Sequence, residues 1–296
     1  MSRGFLIFAN NNEQIDYVAI ALCNALMIKS NLGPDIKVCL VTSDGDHGWL
    51  VKSRGEALVN RAFDDIIIRP YESDGNNTRK VHDTLSTARE VPWKNATRAM
   101  AYHLSPYDET ILIDADYLVM DKTLDQVWDS PEAFRINTSA RKINQKPLQA
   151  DEARLEPFGL KMAWATCVYF RKTPEVKIIF DMVDHVRENY AYYQHLYRFP
   201  GRLFRNDYAF SIAMHIMNGW TEGLVAELPA REILTSFDCD ELISVPRRNE
   251  FIFLINDETH RYKFTVANVK GINVHIMNKF SIGRHIDQIV SLYGDE

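Results

Sequence analysis

Four short apolar runs mark the first 120 residues, GFLIFA (4–9), IKVCLVT (36–42), DDIIIRP (64–70) and ETILIDADYLV (109–119). Each reads as a strand. Residues 17–29 and 49–63 have helical spacing, and residues 78–105 read as helical with a break near Pro92. Continuous Val/Ile/Leu strands alternating with helices predict a parallel sheet covered on both faces. The second half is less regular. AFRINT (133–138) and AWATCVYF (163–170) read as strands, separated by a polar, Lys/Arg-rich stretch, 140–161, that reads as a loop or lid. Helices are predicted over 174–190, 205–218 and 284–292, and late strands at FIFLI (251–255) and NVHIM (273–277). No Gly/Ser linker divides the chain. The expectation is one α/β domain over 1–296, with a nucleotide-binding half (1–120) and an acceptor-side half (121–296).

Composition narrows the class of protein. With 40 acidic against 34 basic residues the formal charge is -6, so no global field steers the chain toward nucleic acid or anionic lipid. The longest apolar stretch, YVAIALCNALMI, is interrupted by Asn24 and is too short to span a bilayer. The apolar run at 5–9 is too short for a signal-peptide core. Cys23, Cys39, Cys167 and Cys239 form no C-x-x-C pair and read as reduced thiols of a cytoplasmic protein. Asn-x-Ser/Thr triplets at Asn76, Asn95 and Asn137 carry no meaning without secretion.

Candidate chemistry centres on ILIDADYLV. Two aspartates, Asp114 and Asp116, close an apolar strand, and ligands of open α/β sheets bind beyond the carboxyl ends of strands. Carboxylates this close repel each other, and a hard divalent cation removes that penalty. Mg²⁺ or Mn²⁺ bridging a diphosphate suits such a ligand set. Other features sit at the same sheet edge. ANNNEQ after the first strand supplies Ala9, Asn10 and Asn11, and the second strand ends near Asp44. Lys94 and Arg98, four apart, share a helix face if that segment is helical.

The order of these pieces, with L-x-x-Y-D-x-x-I-x-I-D-A-D-x-x-V at its centre, resembles the GT-A (Rossmann-like) glycosyltransferases. The resemblance is to their glycogenin-like and bacterial lipooligosaccharide galactosyltransferase-like group, and it spans most of the chain. It implies that His275 of NVHIMNKF is a third metal ligand and that Lys279 meets the diphosphate. It places Ala165 and Thr166 behind the donor sugar and gives Asp207 a catalytic position; a helix N-cap is the other reading of Asp207. The family tail has Gly before the Lys and Pro-Trp after it, whereas here Asn278 precedes and Phe280–Ser281 follow, so the stereochemical outcome stays open.

The implied reaction is metal-dependent transfer of a sugar from a nucleotide diphosphate sugar to an acceptor hydroxyl; the glycogenin-like resemblance implies retention of configuration, and inversion would make Asp207 the first candidate base. A glycan, a lipid-linked sugar, a protein or a modified nucleic-acid base could supply that hydroxyl. Arg135, Arg141, Lys142, Lys146, Arg198, Arg202 and Arg205 form two basic clusters that either face an anionic acceptor or are solvated. A haloacid dehalogenase-type phosphatase would use Asp114 as nucleophile, but it usually carries its D-x-D on the first strand. A sugar-phosphate nucleotidyltransferase needs a Gly-rich basic loop where ANNNEQ stands. A decayed, non-catalytic relative would lack a metal ligand, yet Asp114, Asp116 and His275 are all present.

Overall fold

The computed structural model describes residues 1–70, 78–84, 87–92, 96–144, 154–155, 159–199, 203–223, 225–256 and 263–294. Strands β1 (Arg3–Phe8), β2 (Lys37–Thr42), β3 (Asp65–Ile68), β6 (Glu109–Asp114), β8 (Phe134–Asn137) and β10 (Trp164–Arg171) form a six-stranded sheet in the order β3-β2-β1-β6-β10-β8. The first four are parallel and β10 runs antiparallel to both its neighbours. Side chains alternate between two cores, as the two-residue strand period requires. Phe5, Ile7, Val38, Leu40, Ile111 and Ile113 face one cluster. Leu6, Cys39, Val41, Leu112, Val168 and Phe170 face the other. That double burial is why these strands read as unbroken apolar runs.

One face is covered by helices α1 (Tyr17–Leu32), α2 (Asp44–Arg54) and α3 (Glu56–Ala62). A single-turn α4 (Ala101–Leu104) precedes β6. The other face carries α5 (Pro174–Glu188), α6 (Tyr190–Tyr197) and α7 (Asn206–Met217), and α8 (Lys279–Gly283) and α9 (Ile286–Tyr293) close the chain against α1. Asp16 caps α1 by accepting from the Ala19 amide at 3.1 Å. No helix of the described residues is long and apolar enough to cross a membrane. Cys23, Cys39 and Cys167 are free and buried, and burial pushes their thiols up to about 12.

Two sequence expectations change. Residues 78–105 are not a broken helix: strands β4 (Thr78–His82) and β5 (Ala88–Pro92) pair as a hairpin, followed by a 3₁₀ turn over Ala96–Met100. Val81 and Val91 pack into the core while their neighbours stay more exposed, one buried side chain per strand, too weak a signal to mark a strand in the sequence. The stretch 140–161 opens not as a loop but as β9 (Ala140–Lys142), which pairs with β11 (Ile233–Thr235). The middle of that stretch lies outside the described residues. An antiparallel sheet of β12 (Glu241–Arg247), β13 (Glu250–Asn256) and β14 (Phe264–Lys270) completes the second half.

A smaller sheet, β7-β15-β11-β9, holds β7 (Tyr117–Leu118) against β15 (Val274–His275). The chain therefore leaves β6 at Asp114 and enters another sheet at Tyr117, so the D-A-D triplet is the corner between them. Asn24, buried in the middle of α1, fixes that corner. Its Nδ2 donates to the Asp114 carbonyl (3.3 Å) and the Tyr117 carbonyl (2.9 Å), and its Oδ1 accepts from Val119 N (3.2 Å). Replacing Asn24 by leucine strands all three backbone groups, each worth ~1 kcal/mol or more when left unsatisfied in a core. The Asn24→Leu chain should lose about 3 kcal/mol in urea unfolding; a loss under about 1 kcal/mol would show that the corner holds without it.

Candidate active site

A cleft of about 280 Å³ opens beyond the carboxyl ends of β1 and β6. β2 lies on one side of β1 and β6 on the other, so this is the point where strand order reverses and ligands of open sheets bind. β10 is antiparallel to β6, which puts its amino end, Trp164 to Thr166, at the same edge. β15 pairs with β7 in a register that sets His275 opposite Tyr117, and Ile276 N donates to the Asp116 carbonyl (2.9 Å). Sheet pairing thus delivers an imidazole from the far end of the chain to the D-A-D corner.

One oxygen each of Asp114 and Asp116 and one ring nitrogen of His275 lie within 4.8 Å of one another. His275 Nε2 stands 3.5 Å from Asp116 Oδ2 and 3.9 Å from Asp114 Oδ2. Two carboxylates and an imidazole converging in a cleft suit a divalent cation of the Mg²⁺/Mn²⁺ type, with the nitrogen favouring the softer of the two. The donor set therefore fits the expected metal, although other divalent ions share that chemistry.

Cations answer the carboxylates. Arg98 pairs with Asp114, Lys279 with Asp116, and Arg205 with Asp207 at 3.0 Å. Burial pushes the Asp114 carboxyl up; Arg98 opposes that and the Asp116 charge adds to it. Burial acts likewise on Asp116, but Lys279 and His275 outweigh it and hold that carboxyl far below the usual range. Arg98 is 3% exposed, and among the described residues its Nε and Nη2 have no hydrogen-bond partner. Buried guanidinium donors left open beside a cleft match the oxygens of an anion such as a diphosphate.

Of the loop after β1, Ala9, Asn10 and Asn12 line the cleft. Asn10 Oδ1 accepts from Ser43 N (3.1 Å), tying the ends of β1 and β2. Asn11 turns away: its Oδ1 accepts from Val18 N (3.0 Å) and its own N donates to Asp46 Oδ2 (3.2 Å). Asp44 is exposed in the first turn of α2 and is not among the cleft residues. The acid that braces this loop is Asp46, two residues on. Lys94 lies outside the described residues. Arg98 sits on the 3₁₀ turn, not on a long helix, and still reaches Asp114.

Asp207 is not the N-cap of α7. That position is Arg205, with no side-chain cap bond. Asp207 Oδ1 instead accepts from Ala165 N (2.9 Å), and Oδ2 takes the Arg205 guanidinium, so it clamps α7 to the start of β10. Ala165 and Thr166 are buried there and line the cleft. Sequence reasoning missed Tyr17, Arg79 and Trp164, which also line it. Arg79 comes from the hairpin read as helix, and it pairs with Asp238 (3.2 Å). Arg141 pairs with Glu232, Lys142 lies over the Phe237 ring at 3.9 Å, and Lys146 and Arg202 lie outside the described residues.

No protein-family model matches the sequence, and no curated protein does. Solved structures do. An active-site mutant of LgtC is similar over 71% of this chain and 69% of its own, at 13% identity and a TM-score of 0.46. The galactosyltransferase LgtC with donor and acceptor sugar analogues is similar over 71% and 70%, at 12% identity and 0.43. Mouse xyloside xylosyltransferase 1 is similar over 74% and 83%, at 10% identity and 0.42. These are partial likenesses of fold, and the chemistry of the cleft rests on its own side chains.

Removing one ligand charge should weaken cation binding. Asp116→Asn keeps the side-chain shape and relieves repulsion with Asp114, but it leaves buried Lys279 without its partner, so a thermal melt accompanies the titration. Titration of Mn²⁺ followed by electron paramagnetic resonance should show affinity falling at least about tenfold, which is ~1.4 kcal/mol. Unchanged affinity would remove Asp116 from the ligand set.

Proposed function

We propose that this chain is a glycosyltransferase that moves a sugar from a nucleotide diphosphate sugar to an acceptor hydroxyl. The observation that carries the reading is the meeting of Asp114, Asp116 and His275 with Arg98 and Lys279 at the carboxyl ends of β1 and β6. Asp114, Asp116 and His275 would hold a divalent cation, Mn²⁺ or Mg²⁺, which supplies positive charge against a leaving diphosphate. Lys279 and the open donors of Arg98 add fixed positive charge in the same place, where charge grows as the glycosidic bond breaks. Ala9 and Asn10 border the space for the nucleoside, and Ala165 and Thr166 the space for the sugar.

The charge pairing also bears on stereochemistry. Inversion needs a carboxylate base within reach of the acceptor hydroxyl. Among the described residues the three carboxylates lining the cleft each face a cation, and both Asp207 oxygens are engaged. That supports retention of configuration, with Asp207 positioning the sugar wall and not acting as base. The dehalogenase alternative is disfavoured because Asp114, its nucleophile, is paired with Arg98.

The test is a panel of nucleotide sugars incubated with the chain and Mn²⁺, with nucleotide release measured. One donor should be hydrolysed, chelation should abolish release, and Asp116→Asn should lower it by at least about a hundredfold, the size seen when one stabilising charge contact is lost. Phosphate release from simple phosphomonoesters, with indifference to every nucleotide sugar, would overturn the proposal. Proton NMR of a transferred product should show the donor's anomeric configuration.

Arg98 separates binding from chemistry. Arg98→Gln leaves the Asp114 carboxylate unpaired and removes the open donors, so nucleoside diphosphate affinity measured by calorimetry should fall about tenfold or more, consistent with a lost charged hydrogen bond of ~1.5–3 kcal/mol. Unaltered affinity would place the diphosphate elsewhere.

A further inference from the structure

A second cavity, about 730 Å³, lies farther along α7 and shares no lining residue with the cleft. The two are joined by a seam. Asp207 accepts from Ala165 N at the cleft, and one turn on, Ser211 Oγ accepts from Ala163 N (2.7 Å) at the cavity wall. From Asp207 to His215, which also lines the cavity, α7 rises about 12 Å. Its volume is in the range of ligand-binding sites.

The lining is amphipathic. Leu160, Ala163, Met214, Val225 and Leu228 give an apolar surface. Glu222 and Glu227 stand on the wall with Asn218 and His215. Glu227 Oε1 accepts from Thr138 Oγ1 (2.6 Å), and Glu222 Oε1 accepts from Lys161 N (2.9 Å) and Arg154 Nη1 (3.0 Å), which fixes both carboxylates on the wall. A Cβ on Gly223 would meet Asn218 Nδ2 at 2.5 Å, so that glycine admits the carboxamide to the wall. Beside it stands an aromatic column. Tyr197 OH bonds His215 Nδ1 at 2.8 Å, and the Trp220 ring packs edge-on to His215 at 6.0 Å. Trp220 is 55% exposed and holds a φ of 64°, a conformation unfavourable for a bulky residue and maintained here next to the cavity.

We propose that this cavity binds the distal part of a neutral oligosaccharide acceptor whose terminal hydroxyl reaches the cleft. The inference rests on the glycosyltransferase reading. Sugars present C–H faces to apolar surfaces and hydroxyls to carboxylates and amides, and this wall offers both. The charges on the wall are mixed, with Glu222 and Glu227 beside Arg135, Lys161 and Arg231 and with Glu222 paired to Arg154 (3.0 Å), a balance that suits a neutral ligand.

The probes are neutral hexose oligosaccharides from disaccharide to hexasaccharide on an array, read with the chain in Mn²⁺ buffer. Binding should strengthen from disaccharide to tetrasaccharide. Asn218→Ala and Glu227→Gln should each weaken it at least about fivefold, and Met214→Trp, which fills the cavity, should abolish it; thermal melts identify any variant that is not folded. All three should retain nucleotide-sugar hydrolysis, while the KM for an oligosaccharide acceptor rises with kcat little changed. Asp116→Asn should keep oligosaccharide binding, so failure of this site and failure of the transfer reading are told apart. Binding indifferent to the cavity variants, no oligosaccharide binding at all, or displacement of the oligosaccharides by inorganic phosphate would overturn the proposal.

Discussion

Asp114 and Asp116 stand at a corner where the chain passes from one sheet to another, and holding two carboxylates there in the protein is unfavourable unless something answers their charge. The fold answers in two ways. Backbone groups of the corner are pinned by Asn24 from one side and by Ile276 N from the other, which fixes the path of the chain through the two aspartates. Arg98 from the 3₁₀ turn, and His275 and Lys279 from the segment that begins at β15, then bring positive or polarisable groups to the carboxylates. A buried pair broken on one side leaves an uncompensated charge, which costs more than the pair contributes. The corner and its partners therefore stand or fall together.

That dependence explains the architecture around the cleft. The six-stranded sheet positions β1 and β6 side by side, but a sheet alone cannot bring residue 275 to residue 116. The smaller sheet does this through two residues of β15 paired with two of β7. α7 is tied to the start of β10 by Asp207, and the same helix carries Ser211 and His215 into the second cavity. One helix thus forms a wall of both spaces.

The parallel sheet and the D-A-D corner were legible in the sequence because their signals are local. Phe5 to Phe8 and Ile111 to Ile113 are unbroken apolar runs within single strands, and the second run ends at the aspartates. His275 and Lys279 were reachable only through the family resemblance, since nothing near them in the chain marks them as partners of Asp116. Arg79 was not legible: alternation in its hairpin is carried by single buried valines, Val81 and Val91, between longer polar stretches. Asn24 looked like an interruption of an apolar helix, whereas its polar atoms serve backbone groups ninety residues on. Asp44 and Asp46 are both acids at the start of one helix, and only the path of the loop after β1 selects Asp46 as its brace.

The central claim is that an imidazole from the second sheet joins both aspartates around one cation. It can be read directly by electron spin-echo envelope modulation of Mn²⁺ bound to the chain. The account predicts nitrogen modulation from one directly bound imidazole, present in the native chain and absent from His275→Ala. Nitrogen modulation that survives in His275→Ala, or bound Mn²⁺ in the native chain showing only oxygen ligands, would contradict it.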